Sequence, residues 1–276
     1  MLARLGVSHP WGSVKAPMPS RYTRPRTPSR RRRTRLPLAA LILVLAIAAA
    51  VALWPKLFPH ASDPLSPGAS NAGLREAGLV VSVEGVERID ADAARTLLGG
   101  IPSSDGSSGD ARYDRDLFGQ RWADLDRNGC DQRNDVLRRD LATFVVQPGT
   151  QNCVVASGVL DDLYSGDSIR FVKGEQSSAD VQIDHVVPLS WAWRHGAFAW
   201  PADERERFAN DFDNLLAVDG PTNTSKSDSG PAEWMPPRRE FACEYVARFT
   251  VVLAEYDLGL DRADRSAIES ALDTCP

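Results

Sequence analysis

An uninterrupted apolar run, LAALILVLAIAAAVALW, occupies residues 38–54 and comes shortly after the arginine-rich segment RRRRTR at 30–35. Its 17 residues reach the lower limit of about 17 to 25 helical residues that cross a hydrocarbon core. The apolar region of a cleaved signal is shorter, about 7 to 15 residues, although the small residues Ala48 and Ala50 near the end would permit cleavage. We therefore predict a transmembrane signal anchor, with a cleaved signal peptide as the alternative.

This run divides the chain into four parts. Residues 1–37, rich in Pro, Arg and Ser, are predicted to form a basic, disordered cytoplasmic tail that meets anionic lipid rather than nucleic acid. Residues 38–54 are predicted to contact the membrane, and residues 55–75 have the composition of a linker. Because the arginines stay in the cytoplasm, residues 76–276 are predicted to be an exported domain. That domain is either held at the cell membrane by a single span or secreted after cleavage.

Charge is unevenly distributed between the tail and the rest of the chain. Residues 1–60 contain eleven Lys or Arg and no Asp or Glu, whereas residues 61–276 contain 21 basic and 37 acidic residues. Such an acidic body disfavours a protein that grips nucleic acid by bulk electrostatics, which requires many cationic contacts to phosphate. A local basic site or a bound metal ion could still bring a phosphate in.

All four cysteines, Cys130, Cys153, Cys243 and Cys275, lie on the exported side. An even number of cysteines in an oxidising compartment predicts two disulfides. Three connectivities are open, and sequence order favours Cys130 with Cys153 and Cys243 with Cys275. A zinc site is disfavoured because the chain has no C-x-x-C pair.

Hydrophobic periodicity and breaker residues predict short elements along the exported domain. They are a strand at 79–83, helices at 90–98 and 135–146, a strand at 181–187, a helix at 203–210, a strand at 214–218, a short helix at 223–228, a long helix at 240–256 and a last helix from a cap at Asp261 to Leu272. Mixed helices with few strands indicate the α+β class, in a mainly helical, disulfide-stapled domain.

The segment QIDHVVPLSWAW, residues 182–193, places Asp184 beside His185 at the end of an apolar stretch. Asn214 opens NLLAVDGPTN, and Asn223 follows nine residues later, then Lys226. Strand, loop and short helix thus carry a histidine, an asparagine and an oxygen ligand, which could converge on one metal ion.

These residues resemble the HNH nuclease superfamily in its H-N-N form. The resemblance is carried by IDHVVPL at 183–189, FANDFDNLLAVDGPTNTSKSD at 208–228, PAEWMPP at 231–237 and YDRDLFGQRWADLDRNGCDQRNDVL at 113–137. It covers most of residues 113–256. Within this superfamily, the chain is similar to exported actinobacterial-type HNH endonuclease domains and to the nuclease part of modification-dependent restriction enzymes. The resemblance implies a ββα-metal core.

The resemblance implies a role for each residue of the motif. His185 would be the general base, and Asp184 and Asn223 would be metal ligands. Asn214 would fix the loop and the orientation of the histidine. The chemistry agrees, because phosphodiester hydrolysis needs a deprotonated water and a cation near the developing charge. The long interval before Asn214 is predicted to hold an inserted helical hairpin at 190–210.

The expected cofactor and substrate follow from these roles. Asn223 stands where the family name has a histidine, and two hard oxygen ligands favour Mg²⁺, with Mn²⁺ as the alternative. Lys226 and Arg133 are predicted to contact substrate phosphate. The predicted substrate is nucleic acid, with DNA favoured over RNA.

A second cation site is suggested by DLDRNGCD. Asp124, Asp126, Asn128 and Gly129 take the first, third, fifth and sixth positions of an EF-hand-like Ca²⁺ loop, with Asp135 at the twelfth. The usual twelfth residue is Glu, so the alternative is an Asp/Asn/Gly turn anchored by a disulfide.

Two other functions fit the same residues. One is a non-catalytic extracellular domain that binds calcium or an envelope polymer on the nuclease scaffold. The other is a toxin-like effector. No protein partner is predictable from the sequence.

Overall fold

The computed structural model describes residues 71–174 and 179–275, all within one compact unit, Phe58–Pro276. The predicted tail, the apolar run 38–54 and all but the end of the predicted linker lie outside the described residues. Among the residues that are described, no helix is long and apolar enough to cross a membrane.

The described part begins with helix α1 (Ala72–Glu76), strands β1 (Val80–Val83) and β2 (Val86–Ile89), and helix α2 (Ala91–Gly100). The two strands form an antiparallel hairpin. Asp90 caps α2 by accepting hydrogen bonds from two backbone N–H groups of the first turn, which satisfies donors that a helix start leaves unpaired. The predicted strand at 79–83 and helix at 90–98 are confirmed.

Helix α3 (Gln132–Asp140) is followed at once by a three-stranded antiparallel sheet of β3 (Leu141–Val146), β4 (Val155–Asp161) and β5 (Ser168–Val172). The predicted helix at 135–146 is therefore wrong in its second half. The segment LATFVV is rich in β-branched and aromatic residues, and pairing with β4 decides its conformation.

The third sheet is an antiparallel pair of β6 (Val181–His185) and β7 (Leu215–Asp219), and β7 leads directly into helix α6 (Gly220–Lys226). Asp219 caps α6 by accepting from Thr222 N at 2.8 Å. Strand, strand and helix thus form a ββα unit. Before it, a one-turn 3₁₀ helix, η1, spans Arg115–Phe118.

The 29-residue step from His185 to Asn214 holds three helical pieces: α4 (Leu189–Arg194), a 3₁₀ turn η2 (Ala197–Ala199) and α5 (Ala202–Ala209). The predicted insertion at 190–210 is thus helical, and its arrangement as a hairpin stays a prediction.

A 3₁₀ turn η3 (Arg239–Phe241) leads into the long helix α7 (Ala242–Glu255), and α8 (Arg262–Leu272) ends the described chain. Asp261 caps α8 through the N–H groups of Ala263 and Asp264, as predicted.

Both predicted disulfides are present, Cys130–Cys153 and Cys243–Cys275. The first joins the start of α3 to the start of β4, and the second joins α7 to the end of α8. The described residues mix helices with seven strands in three sheets, which agrees with the predicted α+β class but contains more strand than the mainly helical domain that was predicted.

The ββα unit lies between two hydrophobic clusters. Val181, Ile183 and Leu215 pack with α3 and the three-stranded sheet. Leu216 and Val218 pack with the larger cluster that contains α7. Because side chains alternate along a strand, the two faces of the β6–β7 pair have different environments, and this difference organises the site.

Candidate functional site

Asp184 and His185 occupy the last two positions of β6, so their side chains lie on opposite faces of the β6–β7 pair. Asp184 lies on the face with Gln182, and His185 on the face with Ile183. We call these the Asp184 face and the His185 face.

On the Asp184 face, the carboxylate is enclosed by two partners. Tyr164 donates its hydroxyl to Oδ2 at 2.7 Å, and the Lys226 ammonium lies 2.9 Å from Oδ2 and 3.2 Å from Oδ1. Lys226 also donates to the carbonyl of His185 at 2.8 Å. Burial raises the pKa of Asp184, while Lys226 and Tyr164 oppose that shift. Burial likewise lowers the pKa of Lys226.

The environment of Lys226 differs from its predicted one. Its side chain is 0% exposed, so it is not placed to meet a substrate phosphate at the surface. Its charge is used within the fold, where it neutralises Asp184. A lysine in this sequence position could not be distinguished from a surface lysine without knowledge of the β6–α6 packing.

Asn223 lies one turn before Lys226 on α6 and is half-buried. Its Nδ2 donates to Gln182 Oε1 at 2.9 Å, which leaves Oδ1 with no hydrogen bond from the described residues. Gln182 and Asp184 are on the same face of β6, so both predicted metal ligands lie where α6 packs on this strand. A carboxylate and an amide oxygen fit a hard cation such as Mg²⁺ in kind. Such a cation would share Asp184 with the Lys226 ammonium.

On the other face, the His185 ring is held through Nε2, which lies 2.8 Å from the carbonyl oxygen of Ala209. A carbonyl can only accept, so Nε2 carries the proton and the neutral ring keeps its lone pair on Nδ1. Burial lowers the pKa of His185 from 6.5 to about 3. The ring is therefore neutral at neutral pH, and Nδ1 has no hydrogen-bond partner among the described residues.

Asn214 ties down the loop that follows His185. It is fully buried, its Oδ1 accepts from Val187 N at 2.8 Å and its Nδ2 donates to Val187 O at 3.3 Å. Its own carbonyl accepts from Val186 N at 2.8 Å. These three bonds fix the backbone where it leaves β6.

His185 lines a pocket whose other polar walls come from Arg115, Gln120 and Arg121. Trp122 and Leu189 contribute apolar surface. The two arginines are exposed. No pattern in the sequence connects them with the motif, because only the tertiary fold brings residues 115–122 beside residue 185.

Arg133, the other predicted phosphate contact, lies on α3 and is not among the residues that line this pocket. It is half-buried and donates through one guanidinium nitrogen to Val181 O at 3.2 Å. Burial lowers its pKa, and the positive charge of Arg121 adds to that shift. Arg133 is thus near the His185 face but already supports β6.

The predicted second cation site forms one exposed loop whose oxygens are used internally. Asp124 accepts from the N–H groups of Asn128 and Gly129, at 3.0 Å each. Asn128 donates its Nδ2 to Asp126 at 3.0 Å and to Asp135 at 2.9 Å. These contacts describe a hydrogen-bonded Asp/Asn turn, and Ca²⁺ binding there stays a prediction.

A separate cluster joins His195, Asp261 and Asp264, whose potential ligand atoms lie within 4.8 Å of one another. Each side chain already has partners. The His195 ring stacks on Trp191 with centroids 3.5 Å apart and bonds the Trp191 carbonyl at 2.7 Å. Asp264 accepts from Trp191 Nε1 at 2.8 Å and from Ala232 N at 2.7 Å. The hydrogen bonds of this cluster hold α8 against α4.

The chain is similar to a known protein family and to a secreted protein. Residues 131–266 match the family model for the C-terminal domain of GmrSD restriction endonucleases, an HNH-type nuclease family. An "Uncharacterized secreted protein" of Arthroderma benhamiae is 38% identical over 187 residues, which cover 67% of this chain and 86% of the relative. No solved structure shows significant similarity to the chain. The chain therefore belongs to one family with this secreted protein, and its ββα unit lies within the region that matches the GmrSD endonuclease C-terminal domain.

Proposed function

We propose that the chain is an exported, metal-dependent endonuclease that hydrolyses phosphodiester bonds of DNA, with RNA as the alternative polymer. One observation carries the proposal. His185 is a buried, neutral histidine whose Nε2 is committed to a carbonyl, and its ring lines a pocket with two arginines. The match to an endonuclease domain supports the same reaction class.

In this proposal, His185 acts as the general base through Nδ1. A water bound beside the ring gives its proton to Nδ1 as the oxygen attacks phosphorus, and the imidazolium that forms is oriented by the bond to Ala209 O. The pKa of a good base lies near the working pH. Since burial lowers the pKa of His185 to about 3 in the free protein, the anionic phosphate must raise it when substrate binds. Asn214 acts as a positioning residue for this segment.

Asp184 and Asn223 are proposed to hold the divalent cation, Mg²⁺ or alternatively Mn²⁺. When bound, the cation would polarise a phosphate oxygen and offset charge on the leaving oxygen, which requires the phosphate to lie at the end of β6, within reach of both the Asp184 face and the His185 face. For the cation to bind, the Asp184 carboxylate would have to give up part of its contact with Lys226. Lys226 would then balance negative charge near the cation, and the predicted direct contact between Lys226 and a substrate phosphate is not part of this proposal.

The proposed location is outside the cytoplasm. The family relative is described as secreted, and two disulfides agree with an oxidising compartment. The membrane anchor at 38–54 stays a prediction, with cleavage as the alternative.

The function is tested on supercoiled plasmid, single-stranded DNA and RNA, using the full chain with its disulfides oxidised. We expect cleavage in Mg²⁺, none in EDTA, and a loss of cleavage in His185→Ala. His60→Ala removes a histidine to which the sequence assigns no role and should cleave like the parent. Cleavage that survives EDTA, or no cleavage of any of the three polymers, would overturn the proposal.

A further inference from the structure

The His185 pocket has a charge character that the rest of the chain does not share. Residues 61–276 contain 21 basic and 37 acidic residues. Among the residues that line the pocket, however, Arg115 and Arg121 are charged and no carboxylate is present. Two cationic side chains therefore line one pocket of an acidic domain. Because like charges repel one another, an anion bound in the pocket would stabilise this arrangement.

Neither guanidinium is used by the fold. Within the described residues, the side chains of Arg115 and Arg121 form no hydrogen bond and no ion pair, and both are exposed. The nearest specific contact is that of Arg121 with the Trp122 ring, 6.0 Å from its centroid. This contrasts with Arg139, which is half-buried in an ion pair with Asp140, and with Arg248, which is buried in an ion pair with Glu244. The donors of both pocket arginines therefore remain available to a ligand.

The backbone that carries the two arginines is fixed by α5. Arg205 donates to Leu117 O at 2.9 Å, and Glu206 accepts from Gln120 N at 2.8 Å. Asn210 accepts from Ala123 N at 2.9 Å and donates to Gln120 O at 3.0 Å.

Glycine is required at position 119 for the same contact. Gly119 has a φ of +72°, and a Cβ there would lie 2.7 Å from atoms of Glu206. Tight packing of this turn on α5 fixes the segment from which Arg115 and Arg121 line the pocket.

The same helix also positions His185, since Ala209 at the end of α5 accepts from its ring. One helix therefore sets the relation between the arginines and the histidine. Their proximity is also seen in the lining of the pocket, which Arg115 and Arg121 share with the His185 ring.

We propose that Arg115 and Arg121 form an anion subsite that binds a backbone phosphate of the nucleic-acid substrate beside His185. The inference rests on the proposed function for the identity of the substrate. Guanidinium groups suit this ligand because their planar donors match phosphate oxygens. The contact reads the backbone and carries no base sequence.

The subsite is tested by binding, with cleavage switched off. A fluorescein-labelled oligonucleotide, single-stranded or duplex, is titrated with the full chain in EDTA over a range of salt concentrations, and anisotropy gives the affinity. The variant is Arg115→Gln with Arg121→Gln. The matched control is Arg239→Gln with Arg262→Gln, which removes two exposed charges that do not line the pocket.

We expect the pocket variant to bind about tenfold or more weakly, and its log–log salt slope to fall by about 1 to 2, since each lost phosphate contact removes about 0.7 to 0.9. The control pair should stay close to the parent. Equal weakening in both pairs, or no weakening in the pocket pair, would overturn the subsite.

The two proposals can fail separately. If no polymer is cleaved but the pocket pair still weakens binding, the nuclease proposal fails and the anion subsite stands. If His185-dependent cleavage occurs and the pocket pair binds like the parent, the subsite alone is wrong. In a cleaving protein the pocket pair should mainly raise KM, with a smaller effect on kcat.

Discussion

The Asp184 face and the His185 face start from adjacent residues of one strand and have opposite character. On the first, a carboxylate, an ammonium and a phenol are buried and bonded to one another. On the second, a neutral ring lines an open pocket with two arginines that the fold does not pair. Alternation along β6 makes this separation possible.

The contrast between the two faces separates the charges that stabilise the fold from the charges that are available to a ligand. A buried ion pair is costly to break, because removing one partner leaves an uncompensated charge in a poorly solvated place. An exposed arginine contributes little to stability and can contribute much to binding. Variants on the two faces are therefore expected to change the free energy of unfolding by different amounts.

The largest expected effect is on the Asp184 face. Lys226→Met should lower the free energy of unfolding by about 3 to 5 kcal/mol, since Asp184 would stay buried without its cation. Chemical denaturation at pH 7 measures this. Lys173→Met, at an exposed lysine, is the control and should change little. Adding Asp184→Asn to Lys226→Met should recover part of the loss. A single-variant loss below about 1 kcal/mol would show that the pair is not needed.

Acid should destabilise the metal-free protein through His185. Its folded pKa of about 3 lies below the ordinary 6.5, so between these values the unfolded chain binds a proton that the folded chain does not. Stability is thus lost as pH falls below 6.5. At pH 5 the loss from this group is about 2 kcal/mol.

The measurement is unfolding in EDTA at pH 5 and pH 7.5 for the parent and His185→Gln. The parent should lose about 2 kcal/mol more than the variant over this range. Parallel losses in the two proteins would mean that the ring is already solvated enough to titrate normally.

A smaller effect is expected from the phenol. Tyr164→Phe removes one hydrogen bond to the Asp184 carboxylate, and Lys226 remains. We expect a loss of about 1.5 kcal/mol, which is typical of a hydrogen bond to a charged group. Tyr113→Phe, at an exposed tyrosine, should be neutral. Equal stability of the two variants would show that Tyr164 does not support the carboxylate.

The smallest effect on stability belongs to the His185 face. Arg115→Gln should change the unfolding free energy by less than about 0.5 kcal/mol, as for other exposed sites without partners. Thermal unfolding checks this. A loss comparable to that of Tyr164→Phe would mean that the guanidinium serves the fold, and the contrast between the faces would disappear.

The parts of the fold that were predictable are those set by local sequence. The helices α7 and α8 follow from apolar spacing and from the cap at Asp261, and the ββα unit from a motif in which strand, loop and helix are consecutive. Cysteine order gave the disulfide pairing. The strand β3 was missed because LATFVV continues the apolar pattern of α3, so that only pairing with β4 distinguishes the two structures.

The motif residues of the candidate site were predictable from the sequence, whereas the residues that surround them were not. The positions of His185, Asn214 and Asn223 depend on short-range order within the ββα unit. Tyr164 and Arg121 reach the two faces from distant segments, and no spacing in the sequence connects them with β6. The roles of Lys226 and Arg133 depended on burial, which a sequence motif does not reveal.

The central claim is that His185 is the base of a phosphodiesterase, and the rate of a single enzymatic turnover tests it most directly. With excess full chain over a labelled DNA substrate in Mg²⁺, we expect His185→Ala to cleave about 100- to 10,000-fold more slowly than the parent, while oligonucleotide binding in EDTA is unchanged. A variant that cleaves at the parental rate while folded and bound to DNA would contradict it.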